Sequence, residues 1–231
     1  VAIAYSRALD TDEGPSASLK AQHALADKLV YQQIIRLVGG NADYIVSGGA
    51  PLATWLAHFY RGVGIPVLEG YGLTETVGPV SVNTPRLSKI GTVGPALPPM
   101  SFKISDEGEI LLKGPSVFQR YHNDPGATAA CFTDDGWFRT GDMGKLEGET
   151  LYMTDRLKDL FKTSNGKYIS PQAIEIALTA DPYIEQVAVF GNNRNYVTAI
   201  ISPSMPLLEK FAKENNIRYD RIEETFDNPL V

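Results

Sequence analysis

Between Leu19 and Thr76 the apolar residues change their spacing again and again, and that rhythm limits the fold more than any other feature of the chain. Leu19, Ala26, Leu29, Val30, Ile34 and Leu37 recur at the spacing of an amphipathic helix, and Gly39-Gly40 supplies its stop. Tyr44 to Val46 reads as a short buried strand that runs into Ser47-Gly48-Gly49-Ala50-Pro51. Leu52 to Arg61 is a second helix, with Leu52, Leu56 and Phe59 on one face. Val67-Leu68 is another strand, followed at once by Glu69-Gly70-Tyr71-Gly72-Leu73-Thr74-Glu75-Thr76. Strand, helix, strand predicts an α/β protein with a mostly parallel sheet, whose ligands bind beyond the carboxyl ends of the strands. Both glycine-rich stretches are expected at such ends, and that placement carries more weight than the glycines themselves.

From Ser88 the pattern shifts to short β-like runs (Phe102 to Ile104, Glu109 to Leu112, Leu151 to Met153) separated by turns at Pro98-Pro99, Asp106-Glu107-Gly108 and Asp134-Asp135-Gly136. This predicts a small antiparallel or barrel-like β subdomain. A third texture begins near residue 159. There a hairpin turns at Thr163-Ser164-Asn165-Gly166, and a helix starts at Ser170-Pro171. Strands follow at Val187 to Phe190 and Val197 to Ile201, then helices from Pro206 and Arg221. The expected organisation is therefore 1–154 (α/β over 1–87, β over 88–154), a hinge at 155–158, and a partial α+β domain over 159–231.

Composition narrows the function classes. A net charge of −6, without a Lys/Arg cluster, argues against nucleic acid as a partner. No apolar run is long enough to span a bilayer. The single cysteine, Cys131, cannot close an internal disulfide, which fits a cytoplasmic location; it reads as a packing residue. His23, His58 and His122 show no metal-ligand spacing. Asp142, freed by a tight turn at Gly141, suits a pair of neighbouring hydroxyls such as those of a ribose. Arg156, fork-shaped and always charged, could reach the same sugar or its phosphate.

Four blocks then stand in a characteristic order: Ser47-Gly48-Gly49-Ala50-Pro51-Leu52, Tyr71-Gly72-Leu73-Thr74-Glu75, Arg139-Thr140-Gly141-Asp142, and Asp155-Arg156 with Lys158, Lys162, Gly166 and Glu175. Together they resemble the adenylate-forming superfamily, which includes acyl-CoA synthetases and the adenylation domains of peptide synthetases. The run Lys162 to Pro171 is similar to the long-chain fatty acyl-CoA synthetase branch. The resemblance implies an enzyme that joins a fatty acid to ATP as acyl-AMP, with Mg2+ as cofactor, and then transfers the acyl group to coenzyme A. Gly49, Ala50 and Pro51 would line the adenine, with Tyr71 stacked on it and Gly70 and Gly72 beside it. Thr74 would touch the phosphates and Glu75 would hold Mg2+. Asp142 and Arg156 would take the ribose, and Lys158 would be the hinge. Lys162 would reach AMP or the acyl group, and Gly166 would border the path of the thiol.

The superfamily's Ser/Thr/Gly-rich phosphate loop and its late lysine find no counterpart here. With a start at Val1 and an end at Asn228-Pro229-Leu230-Val231, the expectation is a piece of a longer polypeptide that is inactive alone, with a peripheral membrane association of the parent left open. Two alternatives remain at this stage: delivery of acyl-AMP to a carrier protein, and a non-catalytic nucleotide-binding module.

Overall fold

The structure, a computed structural model, describes residues 1–156 and 160–228. The chain divides into two compact units, Val1–Thr154 and Asp155–Val231. The α/β class expected from the sequence is the one observed.

The first unit opens with α1 (Ala2–Ala8), then α2 (Ala17–Ala26), capped by Ser16, whose Oγ accepts from the Leu19 N–H at 3.2 Å. Helical structure continues through a π turn at Asp27–Tyr31 into α3 (Gln32–Leu37), so the single helix expected there is present with one wide turn inside it. Helix α1 was not legible, because seven residues are too few to display a helical stripe. It forms by packing on α4 (Thr54–Val63), and the approach is so close that a Cβ on Gly62 would lie 2.2 Å from the Ala2 carbonyl oxygen.

Polar groups seal this helix pair. Ser6 is fully buried, and its Oγ lies 3.0 Å from Nδ1 of His58, itself 8% exposed. Arg61 donates from Nε to Ser6 Oγ at 2.7 Å and pairs with Asp10 at 2.6 Å. Since Ser6 Oγ accepts from Arg61, its own proton is left for a neutral imidazole. Burial, and secondarily the Arg61 charge, pull the His58 pKa below its usual 6.5. A depressed histidine contributes stability above about pH 6.5 and loses it as the pH falls toward the folded-state value. Thermal melts should therefore show stability falling below pH 6.5, and His58→Gln should flatten that slope. An unchanged slope in the variant would remove His58 as the cause.

Strand β1 (Ile45–Ser47) pairs in parallel with β2 (Val67–Leu73), Ile45 opposite Val67, and β2 pairs antiparallel with β3 (Gly78–Val82). The sequence reading ended this second strand at Leu68; it runs five residues further. Gly70 and Gly72, expected in a glycine-rich stretch beyond the strand's carboxyl end, lie inside the strand and serve close approach. A Cβ on Gly72 would meet the Gly78 oxygen at 2.2 Å, so only glycine lets the two strands cross there.

Strands β4 (Ser101–Ile104), β5 (Glu109–Lys113), β6 (Phe138–Glu147) and β7 (Thr150–Arg156) form a second sheet in that order, with the short helix α5 (Pro125–Ala130) between β5 and β6. The core beneath holds Tyr71, Val80, Val93, Met100, Ile110, Leu112, Phe138 and Leu151, drawn from both sheets. Cys131 packs against this core as expected, and burial pushes its thiol pKa up.

In the second unit β8 (Phe161–Lys162) and β9 (Tyr168–Ile169) form the expected hairpin. Helix α6 (Pro171–Leu178), capped by Ser170, packs on β10 (Ile184–Phe190), which pairs with β11 (Thr198–Pro203). Glu175 reaches from α6 to accept the Val189 N–H at 2.9 Å. Helix α7 (Met205–Glu214) and a 3-10 segment, Ile222–Asp227, complete it.

Candidate functional site

Strand β1 delivers Gly48 to Gly70 on β2. A Cβ on Gly48 would lie 3.2 Å from the Gly70 oxygen, so the loop Gly48–Pro51 starts against the strand that carries Tyr71. Gly49 has φ 82°, and Gly49, Ala50 and Pro51 are exposed. Glu69 clips the arrangement together. Its carboxylate accepts from the Gly91 N–H at 3.4 Å, and burial raises its pKa.

Tyr71 and Asp142 meet. The Tyr71 hydroxyl donates to Asp142 Oδ2 at 2.7 Å; the two residues are 8% and 2% exposed. The ring of Tyr71 belongs to the core, with its polar tip on the carboxylate. Asp142 does not follow a tight turn, as the sequence reading had it. It lies within β6, at a bulge where Thr140, Gly141 and Asp142 stand opposite Ile110 alone, between the pairs Glu109–Met143 and Leu111–Arg139. Gly141 takes φ 72°, which glycine adopts without strain. Side chains replace the interrupted ladder. Glu109 accepts from the Gly141 N–H at 2.9 Å, Thr140 Oγ1 donates to the Ile110 carbonyl at 2.7 Å, and the Asp142 N–H donates to Thr140 Oγ1 at 3.0 Å.

Thr74 and Glu75 lie on a 3-10 turn, Thr74–Thr76, between β2 and β3. Thr76 Oγ1 ties it by accepting from the Leu73 N–H at 2.9 Å. The next residue, Val77, is 88% exposed and has φ 63°, a left-handed conformation that a β-branched residue adopts only at a cost in energy. Glu75 Oε1 accepts from the Tyr121 hydroxyl at 2.8 Å. That bond, with burial, pushes the Tyr121 pKa up to about 12, so the phenol remains a donor at neutral pH. Tyr121, Glu69 and Glu109 are additions that no sequence motif singled out.

In the second unit, Arg156 is exposed at the end of β7, and its carbonyl accepts from the Leu160 N–H at 3.1 Å. Lys162 is exposed with Nζ 5.3 Å from the Tyr168 ring centre. Gly166 takes φ 85° in the hairpin turn and donates to the Thr163 carbonyl at 2.9 Å. Lys158 lies outside the described residues.

Among the described residues no group of three His, Cys, Asp or Glu side chains could cage a metal ion. One carboxylate, Glu75, is the donor set expected for magnesium carried largely by substrate phosphates and water. Among the described residues no helix is long and apolar enough to cross a membrane.

Comparison with known proteins identifies the family. Residues 10–122 match the AMP-binding enzyme family, and residues 158–226 match the AMP-binding enzyme C-terminal domain. The chain belongs to the AMP-binding enzymes, the adenylate-forming superfamily. Within it the chain groups with the fatty acyl-CoA synthetases. It is 41% identical over 221 residues to the long-chain-fatty-acid–CoA ligase FadD15 of Mycobacterium bovis, covering 93% of this chain and 37% of that protein. It is 36% identical over 201 residues to fatty acyl-CoA synthetase A of Dictyostelium discoideum, covering 80% and 30%. The O-succinylbenzoate coenzyme A synthetase of Bacillus subtilis, solved with ATP and magnesium, superimposes with a TM-score of 0.63 at 29% identity, over 79% of this chain and 43% of that one. The chain thus spans between 30% and 43% of the length of these relatives.

Proposed function

We propose that the chain forms part of an ATP-dependent acyl-CoA synthetase acting on a long-chain fatty acid, in the cytoplasm. The fatty-acid carboxylate attacks the α-phosphorus of ATP, the bond to the β-phosphate breaks, and pyrophosphate leaves. The thiol sulfur of coenzyme A then attacks the acyl carbon, and AMP leaves. The observation that carries this reading is the contact of Tyr71 with Asp142, which joins blocks 71 positions apart on the strand against which the Gly48–Pro51 loop starts. In this reading the exposed loop Gly49–Pro51 receives the purine, with Gly70 and Gly72 beside it; Tyr71, its ring in the core, supports the site by holding Asp142, and Asp142 and Arg156 bind the ribose. Thr74 orients the phosphates. Glu75 holds magnesium, which when bound supplies positive charge against the phosphoryl oxygens. Residues 155–158, with Lys158 among them, act as the hinge between half-reactions, while Lys162 and Gly166 face the acyl and thiol chemistry. Most of the rate then comes from positioning and charge neutralisation rather than an acid–base pair.

The test is an assay of the whole protein with palmitate, ATP, magnesium and coenzyme A. Pyrophosphate release and the acyl-CoA thioester, read by mass spectrometry, are expected; residues 1–231 alone are expected to release none. Acyl-AMP formation without thioester transfer to coenzyme A would favour a carrier-protein acceptor. No acid-dependent pyrophosphate release from the whole protein would defeat the reading.

A further inference from the structure

We infer that Tyr121 is a positioning residue for Glu75, fixing its carboxylate for a metal-bound nucleotide; this rests on the reading of Glu75 as the magnesium ligand. The segment Phe118–Tyr121 grips Glu75 twice. The Phe118 N–H donates to the Glu75 carbonyl at 2.7 Å, and the Tyr121 hydroxyl donates to Oε1 at 2.8 Å. The carboxylate plane is thereby already set for a cation that Glu75 would hold.

Tyr121 is itself held from both ends. Its N–H donates to Thr128 Oγ1 at 3.0 Å, and that hydroxyl donates to the Asp124 carbonyl at 2.7 Å, where Asp124 caps α5. Its ring lies edge-on to Phe118, 4.6 Å between centres, and Phe118 packs in turn on Phe132 and Phe138 of the core. The clamp thus reaches from packed aromatics to a half-buried side chain on the 3-10 turn. Without it, a glutamate on a three-residue turn keeps its rotamer freedom until a ligand pays to remove it. Hydrogen bonds to ligating carboxylates from outside the coordination shell commonly fix their orientation in this way.

The experiment compares Tyr121→Phe, which keeps the ring and its packing, with Glu75→Gln in the whole protein. Binding of α,β-methylene-ATP is titrated with Mn2+ present, following free Mn2+ by electron paramagnetic resonance, and again in EDTA. Tyr121→Phe should weaken metal-dependent binding by about 10-fold and leave metal-free binding unchanged, with Glu75→Gln acting in the same direction. An effect of Glu75→Gln but none of Tyr121→Phe overturns the inference and leaves the Glu75 reading standing. No effect of Glu75→Gln overturns both. Equal loss with and without metal in Tyr121→Phe means that the tyrosine only supports the fold, and also overturns the inference.

Discussion

Asp142→Ala is expected to lower fatty-acid-dependent pyrophosphate release by the whole protein by about 100- to 1,000-fold. The substitution removes the carboxylate proposed for the ribose and, at the same stroke, the acceptor of the Tyr71 hydroxyl. Losing a buried acceptor costs stability as well, about 1–3 kcal/mol, so the alanine variant mixes two effects. Asp142→Asn separates them. It keeps an oxygen for the tyrosine and loses only the charge, so its melting temperature should stay near that of the unchanged protein while nucleotide affinity and turnover fall. Steady-state pyrophosphate assays and thermal melts on both variants are the measurement. Unchanged turnover in either variant would exclude Asp142 from the reaction.

Gly94→Ala is expected to be a strongly destabilising small substitution in the first unit. Gly94 has φ 78°, and a Cβ there would lie 2.5 Å from the carbonyl carbon and oxygen of Val82 and 2.6 Å from the Asn83 nitrogen. These are backbone atoms, so no side-chain rotation relieves the overlap. The left-handed conformation costs an L-residue about 1–2 kcal/mol, and overpacking adds about 1–3 kcal/mol. A loss of about 2–5 kcal/mol is large against a typical domain stability of about 5–15 kcal/mol. Gly148→Ala is the internal control, since Gly148 also has positive φ, 61°, but a Cβ would touch nothing within 4 Å. Urea denaturation should show the Gly94 variant destabilised by the larger amount. Equal losses would mean that the backbone of β3 yields to the methyl group.

How much of this was legible follows from how each feature writes itself into sequence. The helices over 17–37, 54–63, 171–178 and 205–214 emerged within a few residues, because their apolar stripes and the Ser170-Pro171 start are local signals. The far ends of β2 and most of β6 did not. Each contains glycine (Gly70, Gly72, Gly141) where a strand needs close approach or a bulge, and glycine in sequence reads first as a turn. At the candidate site, Tyr71, Asp142 and Glu75 were singled out because their blocks resemble a family. Their partners were not. The bonds from Tyr121 to Glu75 and from Gly141 to Glu109 span 46 and 32 positions, and such pairings leave no periodicity to detect. Likewise, the burial of the Tyr71 ring depends on Val80, Met100 and Leu151, which are scattered along the first unit.

Leu151, near the start of β7, is fully buried and held by the backbone on both sides. Its N–H donates to the Gly94 carbonyl at 3.0 Å, and its own carbonyl accepts from the Val93 N–H at 3.0 Å. A peptide fastened in that manner behaves as an embedded post. Torsion applied further along the strand cannot be relaxed there without tearing two bonds and emptying a packed niche. Any rotation of the chain beyond this stretch would thereby be confined to positions after the post, and swapping Leu151 for a smaller residue would loosen the post itself.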